Sequence, residues 1–297
     1  MIAVTGASGY LGGVIVQYLR EQGHDVLELS RGGEGLPGQA RYALGEAVDP
    51  DLLAGATAVV HAAWDFAPLG TTVRERNVAG SMPLLQAAQE VGARFILVSS
   101  LSAFEGCRSE YGNAKLELEG LVRQRGGASI RPGIVYGPAC GGIFGSLVGA
   151  VRSHRIVPLL TGRRLQRLFL SDDASLCALV AHLCSAPAEA IPISPILGAY
   201  PVPMSLRQFV LAIGSALGRR TRLIPAPWQG VYLLLRAAEA LGVNASFRSD
   251  SVLALANPIP LSQVAQLVPS PIAFQRAQLD AVIALDGVGG RAVSGGK

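Results

Sequence analysis

Three glycines, Gly6, Gly9 and Gly12, sit where a short apolar run (Ile2 to Thr5) meets a helical pattern that begins at Tyr10. A strand that turns into a helix through GxxGxxG needs residues without side chains, because the backbone comes close to itself and to whatever lies above it. The helix start also offers unpaired N–H groups and the positive end of the helix dipole, which together suit a phosphate. The spacing predicts dinucleotide binding on a βα turn, with a plain tight turn as the alternative.

Alternating apolar runs and helical patterns follow. Strands are predicted at Ile2–Thr5, Asp25–Ser30, Arg41–Leu44, Ala58–Ala62, Phe95–Ser99 and Ser129–Val135, and helices at Tyr10–Gln22, Thr72–Val91 and Gly112–Arg125. Such alternation implies βαβ units and a parallel sheet. The Gly- and Pro-rich stretch from Ser30 to Gln39 reads as a loop in place of a crossover helix. After Pro138 the texture changes to a loop at Gly141-Gly142, a helix Ile143–Ser153, a strand Leu165–Leu170, and a helix capped by Asp172 or Asp173 that runs through Cys184. A Pro-rich stretch then precedes a helix Leu206–Leu217 with Ser205 as its N-cap. The expected organisation is a nucleotide-binding domain over 1–138, a mainly substrate-binding lobe over 139–287 with some elements returning to the first domain, and a Gly-rich tail over 288–297.

With 50% hydrophobic and 15% charged residues, the chain is no disordered protein. Yet no apolar run reaches the roughly 20 residues that span a bilayer. The most apolar helix candidate, Val231 to Val243, is interrupted by Arg236 and Glu239, and it raises a membrane-surface enzyme acting on a lipid or sterol as one alternative. Net charge +4 rests on scattered arginines without interleaved aromatics, which reads as solvated surface and not as a nucleic-acid stripe. Cys107, Cys140, Cys177 and Cys184 form no CxxC and have no His at metal spacing, so they read as small core residues in a reducing compartment, with no metal site. Met1 runs straight into the glycine loop, so no signal peptide is expected and the expected location is cytoplasmic.

The tip of the second strand indicates which dinucleotide. An acidic residue there would hold a ribose 2′-OH, and an Arg a 2′-phosphate. The strand ends Leu29-Ser30-Arg31, and Glu28 alternates to the other side, which favours NADP over NAD; a solvated loop cation is the alternative for Arg31. Tyr111-Gly112-Asn113-Ala114-Lys115 is a YxxxK, whose two ends share a helix face. A cation beside a phenol favours the phenolate and makes Tyr111 a candidate for proton exchange with a substrate. The pair follows a strand ending in Ser99-Ser100, where a hydroxyl can hold the substrate oxygen. Ser100 is the first choice, Ser102 and Ser99 are the alternatives, and turn capping is the structural reading of all three.

The segments Thr5-Gly6-Ala7-Ser8-Gly9-Tyr10-Leu11-Gly12, His61-Ala62-Ala63, Asn77-Val78-Ala79-Gly80, Val98-Ser99-Ser100, Tyr111 to Lys115, and Arg131-Pro132-Gly133-Ile134-Val135-Tyr136-Gly137-Pro138 follow one another across 1–138. In that order the chain resembles the extended short-chain dehydrogenase/reductase family, the NAD(P)-dependent epimerase/dehydratases, and Asp172-Asp173-Ala174 is similar to that family's DDxA helix start. The resemblance implies an α/β fold, a Rossmann-like doubly wound parallel sheet with a smaller C-terminal substrate lobe. It implies a catalytic Ser100, Tyr111 and Lys115, with Lys115 also holding the nicotinamide ribose. The implied cofactor contacts are Gly6, Ala7, Ser8, Gly9, Tyr10, Leu11, Gly12, Arg31, Ala62, Ala63, Ser99, Tyr111, Lys115, Pro132 and Gly133, with His61 structural and Asn77 orienting the helix beside the site.

The implied reaction moves a hydride between the nicotinamide and a carbonyl or hydroxyl carbon of a small molecule. A nucleotide sugar is one such molecule, whose diphosphate Arg167, with Arg164 second, would grip while Ser102 lies beside the substrate. An NADPH-dependent reductase of a small carbonyl or sterol-like compound and a non-catalytic NADP-binding regulator are the alternatives. Two departures from the family, the ten residues between Ser100 and Tyr111 and the missing acidic strand tip, suggest an atypical member, a reductase in place of an epimerase. Helices Thr72–Val91 and Gly112–Arg125 resemble those that pair into a homodimer, through Leu84, Leu85, Ala88, Leu116, Leu118, Leu121 and Val122.

Overall fold

The computed structural model describes residues 1–33, 36–66, 71–138, 140–161, 167–242 and 247–276. Arg164 and the tail 288–297 therefore lie outside the described residues. The first part of the chain runs β1 (Ile2–Thr5), α1 (Tyr10–Glu21), β2 (Val26–Ser30), β3 (Gln39–Arg41), β4 (Ala58–His61), α2 (Val73–Asn77), α3 (Met82–Glu90), β5 (Arg94–Val98), α4 (Glu110–Gln124) and β6 (Ala128–Pro132). The remainder runs β7 (Ile134–Tyr136), α5 (Gly142–Ser153), β8 (Ile156–Thr161), β9 (Leu170–Asp172), α6 (Asp173–Ser185), β10 (Ile196–Gly198), α7 (Leu206–Ala216), β11 (Arg222–Pro227), α8 (Trp228–Ala240) and α9 (Ser249–Ala256).

Seven parallel strands form the main sheet in the order β10-β6-β5-β4-β1-β2-β3. Strands covered on both faces read as unbroken apolar runs, and β1 and β4 are buried along their whole length. One face is covered by α1 and α6, through Ile15, Val16 and Leu19 against Leu176, Val180 and Leu183. The other is covered by α3 and α4, through Leu84, Leu85, Leu118 and Val122. The chain order reverses between β1 and β4, where open α/β sheets leave a crevice at the carboxyl ends of the strands. Among the described residues of 31–38 no helix joins β2 to β3.

Several expected elements come out differently; the strand expected over Leu165–Leu170, for one, is present among the described residues as a single bridge at Leu168 and as β9 from Leu170. The helix expected over Thr72–Val91 is divided into α2, a short 3-10 turn (Ala79–Ser81) and α3. Pro83 follows that break, and Gly80 lies so near the Leu44–Gly45 backbone that a Cβ would meet Gly45 N at 3.0 Å. The strand expected over Ser129–Val135 is divided at Gly133, where a Cβ would fall 2.1 Å from Phe169 O. That close crossing carries the chain out of the main sheet to pair β7 with β9. The strand expected at Arg41–Leu44 forms earlier as β3, with Gln39 paired to Glu28, and Tyr42 turns into the core.

The second lobe is built from α5, α7, α8 and α9 around the parallel ribbon β8–β11, with Phe144, Phe209, Ile213 and Val252 at its centre. Of the residues expected at a dimer face, Leu84, Leu85, Ala88, Leu118 and Val122 are buried within the chain, while Leu116 and Leu121 are partly exposed. Among the described residues no helix is long and apolar enough to cross a membrane.

Candidate active site at the β1–β4 crevice

The glycine loop closes on itself at the top of β1. Gly6 has φ +70°, and a Cβ there would sit 2.8 Å from Ala63 N. A Cβ on Gly12 would sit 2.1 Å from Gly6 O, so only glycine lets α1 start this close to the strand. The N-cap of α1, Gly9, provides no side-chain cap, which leaves the first amides of the helix for an incoming acceptor. These residues fit a dinucleotide pyrophosphate: a cradle that any side chain would fill, faced by free helix amides. Tyr10 leans away from the cradle and donates to Asp173 Oδ2 at 2.6 Å, and burial with this bond keeps its phenol protonated.

The other wall is the segment after β4. His61 is fully buried between the Thr5 hydroxyl (2.8 Å from Nδ1) and the Ser81 hydroxyl (2.9 Å from Nε2). Burial pulls its pKa down to about 3, with the Lys115 charge adding to the effect, so the ring is a neutral strut. Thr5 Oγ1 also accepts from Ala63 N at 3.2 Å. Asn77 clamps the same segment from both sides, accepting from Asp65 N at 2.7 Å and donating to Asp65 O at 2.9 Å. The loop bearing Ala62, Ala63, Trp64, Asp65 and Phe66 is thereby tied to β1 and α2.

Tyr111 and Lys115 lie in the first turns of α4, and the Ser109 hydroxyl caps that helix by accepting from Gly112 N at 3.0 Å. Burial pushes the Tyr111 phenol up to about 12, against a hydrogen bond from Ser100 that favours the phenolate. Lys115 donates to Val98 O at 2.7 Å and lies 4.1 Å from the centre of the Trp64 ring and 5.9 Å from that of Tyr111. Burial pulls its ammonium down to about 7, although the Glu119 carboxylate opposes the change. The sequence pattern suggested a phenol lowered by its lysine. In this structure the phenol is raised instead, because burial outweighs other effects and the ammonium is directed at a carbonyl and an indole. Trp64 and Phe66 wall Tyr111, edge-on at 5.2 Å and stacked at 5.7 Å between ring centres.

Beneath the pair lies a buried ion pair that the sequence reading passed over. Glu119 accepts from Arg131 Nε at 2.9 Å and from Nη2 at 2.6 Å, and it also accepts from the Ser99 hydroxyl. This carboxylate joins α4, the end of β5 and β6, the three elements that carry Tyr111 and Lys115, Ser100, and Pro132-Gly133. Its position four residues after Lys115, on the same helix face, was the available signal. Trp64 and Phe66 were also missed, although they closely follow His61-Ala62-Ala63. Among the expected residues, Ser100 pairs with Tyr111 and its Oγ accepts from Ser102 N at 3.1 Å. Ser99 points down to Glu119 instead of into the crevice. Arg31 is exposed just after β2, and Arg167 is exposed just before the Leu168–Met204 bridge.

The profile of the NAD dependent epimerase/dehydratase family matches residues 2–172. A ceramide reductase of Caulobacter vibrioides (strain NA1000 / CB15N) is 31% identical over 186 residues, 59% of this chain and 59% of that protein. The chain thus spans well under two thirds of that curated relative's length. Among solved structures, MoeE5 in complex with UDP-glucuronic acid and NAD superposes with a TM-score of 0.68 at 18% identity, covering 95% of this chain and 96% of that one. The human epimerase family protein SDR39U1 (isoform2) with NADPH gives 0.68 at 19% identity, covering 97% and 98%. Fold and site together define an α/β enzyme that binds a nicotinamide dinucleotide. The chain belongs to the NAD dependent epimerase/dehydratase family.

Proposed function

We propose that the chain is an NADP-dependent enzyme that reduces the carbonyl of an apolar small molecule, with Tyr111 delivering the proton to the carbonyl oxygen. The observation that carries this reading is the setting of Tyr111: it stands beside Ser100, is walled by Trp64 and Phe66, and is pushed up to about 12 by burial. A protonated phenol beside a hydroxyl can serve as the acid that carbonyl reduction needs, and the aromatic walls around it point to an apolar substrate. Two aromatic walls receive an apolar group better than a hydroxyl-studded ring.

Gly6, Ala7, Ser8, Gly9, Tyr10, Leu11 and Gly12 would hold the pyrophosphate, and Arg31 the 2′-phosphate. Ala62, Ala63, Pro132 and Gly133 would line the nicotinamide end, while Ser99 is turned down to Glu119. When bound, the cofactor supplies the hydride that reaches the carbonyl carbon. Ser100 holds the carbonyl oxygen, Tyr111 passes it a proton, and Lys115 anchors the ribose. Trp64, edge-on against Tyr111, shields that phenol on one side. The relative named a ceramide reductase supports this chemistry by its name.

A second reading, a nucleotide-sugar enzyme, is favoured by exposed Arg167 and by MoeE5, a structural neighbour seen with UDP-glucuronic acid. NADPH oxidation measured with long-chain ketones and with UDP-glucose separates the two. Turnover of a ketone, with no binding of UDP, supports the first. Saturable UDP binding that Arg167→Ala abolishes supports the second. The proposal also takes the enzyme to be cytoplasmic and a homodimer through the outer faces of α3 and α4, and a concentration-independent monomer in sedimentation would contradict the dimer. Arg31→Ala is expected to weaken NADPH roughly ten- to a hundredfold and leave NADH almost unaffected. Equal weakening of both would leave Arg31 as mere surface.

A further inference from the structure

The first turn of α4 is capped twice, and the second cap comes from the far lobe. The Ser109 hydroxyl takes the Gly112 amide. The amides of Glu110 and of Tyr111 itself donate to the two carboxylate oxygens of Asp250, at 2.9 and 3.2 Å. Asp250 stands in the first turn of α9, which packs against α4. The start of α9 is fixed in turn by α8, because Ser249 donates through its amide (2.8 Å) and its hydroxyl (2.6 Å) to the Glu239 carboxylate. A line of hydrogen bonds therefore runs from α8 through α9 to the backbone of Tyr111, bridging 139 residues of sequence.

We propose that Asp250 is a positioning residue for Tyr111, through which the C-terminal lobe sets the catalytic helix, with Glu239 fixing Asp250. A carboxylate on two helix-start amides is both a cap and a favourable partner for the helix dipole. A shift of α9 would move the Tyr111 backbone before it moved anything in the glycine loop, because the contact is made at that residue's own N–H. The lobe that would receive the substrate is in this way mechanically joined to the proton donor. The inference rests on the reading of Tyr111 as proton donor.

The test uses the full chain as Asp250→Ala, Asp250→Glu and Glu239→Gln. Its readouts are amide hydrogen exchange over residues 109–116, NADPH affinity, and turnover of the ketone identified by the NADPH-oxidation panel. Exchange at Glu110 and Tyr111 in Asp250→Ala is expected to quicken by about five- to tenfold, the worth of a typical cap. NADPH affinity is expected to stay within about twofold and kcat to fall at least about tenfold with KM little changed, the loss expected when a reacting group is misplaced. Asp250→Glu should recover part of both effects, and Glu239→Gln should reproduce them in weaker form. Unchanged exchange overturns the proposal, as does faster exchange with normal kcat. A fall in NADPH affinity parallel to kcat also overturns it, since that marks a loosened fold. If Tyr111→Phe turns over normally, the catalytic reading fails by itself, while the exchange data still judge the cap.

Discussion

Replacing Glu119 separates a buried ion pair from an ordinary surface one. Glu119 and Arg131 are 5% and 7% exposed, and Arg131 reaches the carboxylate through both Nε and Nη2. An exposed pair contributes about 0–1 kcal/mol. Removing one partner of a buried pair costs about 3–5 kcal/mol, because the other charge is left without solvent or counter-ion. Glu119→Ala strands the Arg131 guanidinium and also unpairs the Ser99 hydroxyl, so the upper part of that range applies. In a chain of this size, each kcal/mol moves the melting temperature by roughly 2–4 °C, so a fall of about 10 °C or more is expected. The double variant Glu119→Leu with Arg131→Met removes both charges and is expected to regain most of the loss, since well-packed apolar replacements of buried pairs are often neutral. Thermal and urea unfolding of the two singles and the double measure this directly. A single variant costing under about 1 kcal/mol, or a double whose cost equals the sum of the singles, would refute the reasoning.

Two further perturbations follow from the same geometry. Gly12→Ala places a Cβ 2.1 Å from Gly6 O, so the glycine loop must shift, and NADPH affinity is expected to fall at least about tenfold with a stability loss of about 1–3 kcal/mol; unaltered affinity by fluorescence titration would contradict the cradle. His61 titrates near 3 when folded but from the ordinary 6.5 when unfolded, so the unfolded state alone gains a proton between those values. Stability is therefore full above about pH 6.5 and falls with acidification by up to roughly 1.4 kcal/mol per pH unit, and an unfolding series in which His61→Gln keeps the same slope would remove His61 as the cause.

Elements that announce themselves locally were legible in the sequence: β1, α1, β4, β5 and α4 follow from apolar runs, glycine spacing and caps, and Ser205 caps α7 with a capping box. Elements that exist only through long-range pairing were not. β10 is three residues in a Pro-rich stretch, made a strand by the alignment of Ile196 and Leu197 with Ile130 and Arg131 of β6 and by a bridge from Val268. β11 contains Pro225 and Pro227, which argue against a strand, but it pairs only with β8, so one edge has no ladder to break. The site divides the same way. Tyr111, Lys115 and Ser100 stand out by motif and order, whereas the contact from Asp250 has no sequence signal because it joins two distant helices. The protonation of Tyr111 was not legible either, since burial is a property of the folded site and overrides the local YxxxK pattern.

The proton-transfer role of Tyr111 is tested most directly by comparing Tyr111→Phe with the unaltered chain in two assays, NADPH affinity by fluorescence titration and NADPH oxidation in the presence of the ketone. Loss of the hydroxyl leaves the aromatic packing with Trp64 and Phe66 in place, so affinity is expected to change by less than about threefold. Turnover is expected to fall by about two orders of magnitude or more, the usual worth of a general acid. Turnover within about threefold of normal, at unchanged affinity, would contradict the account.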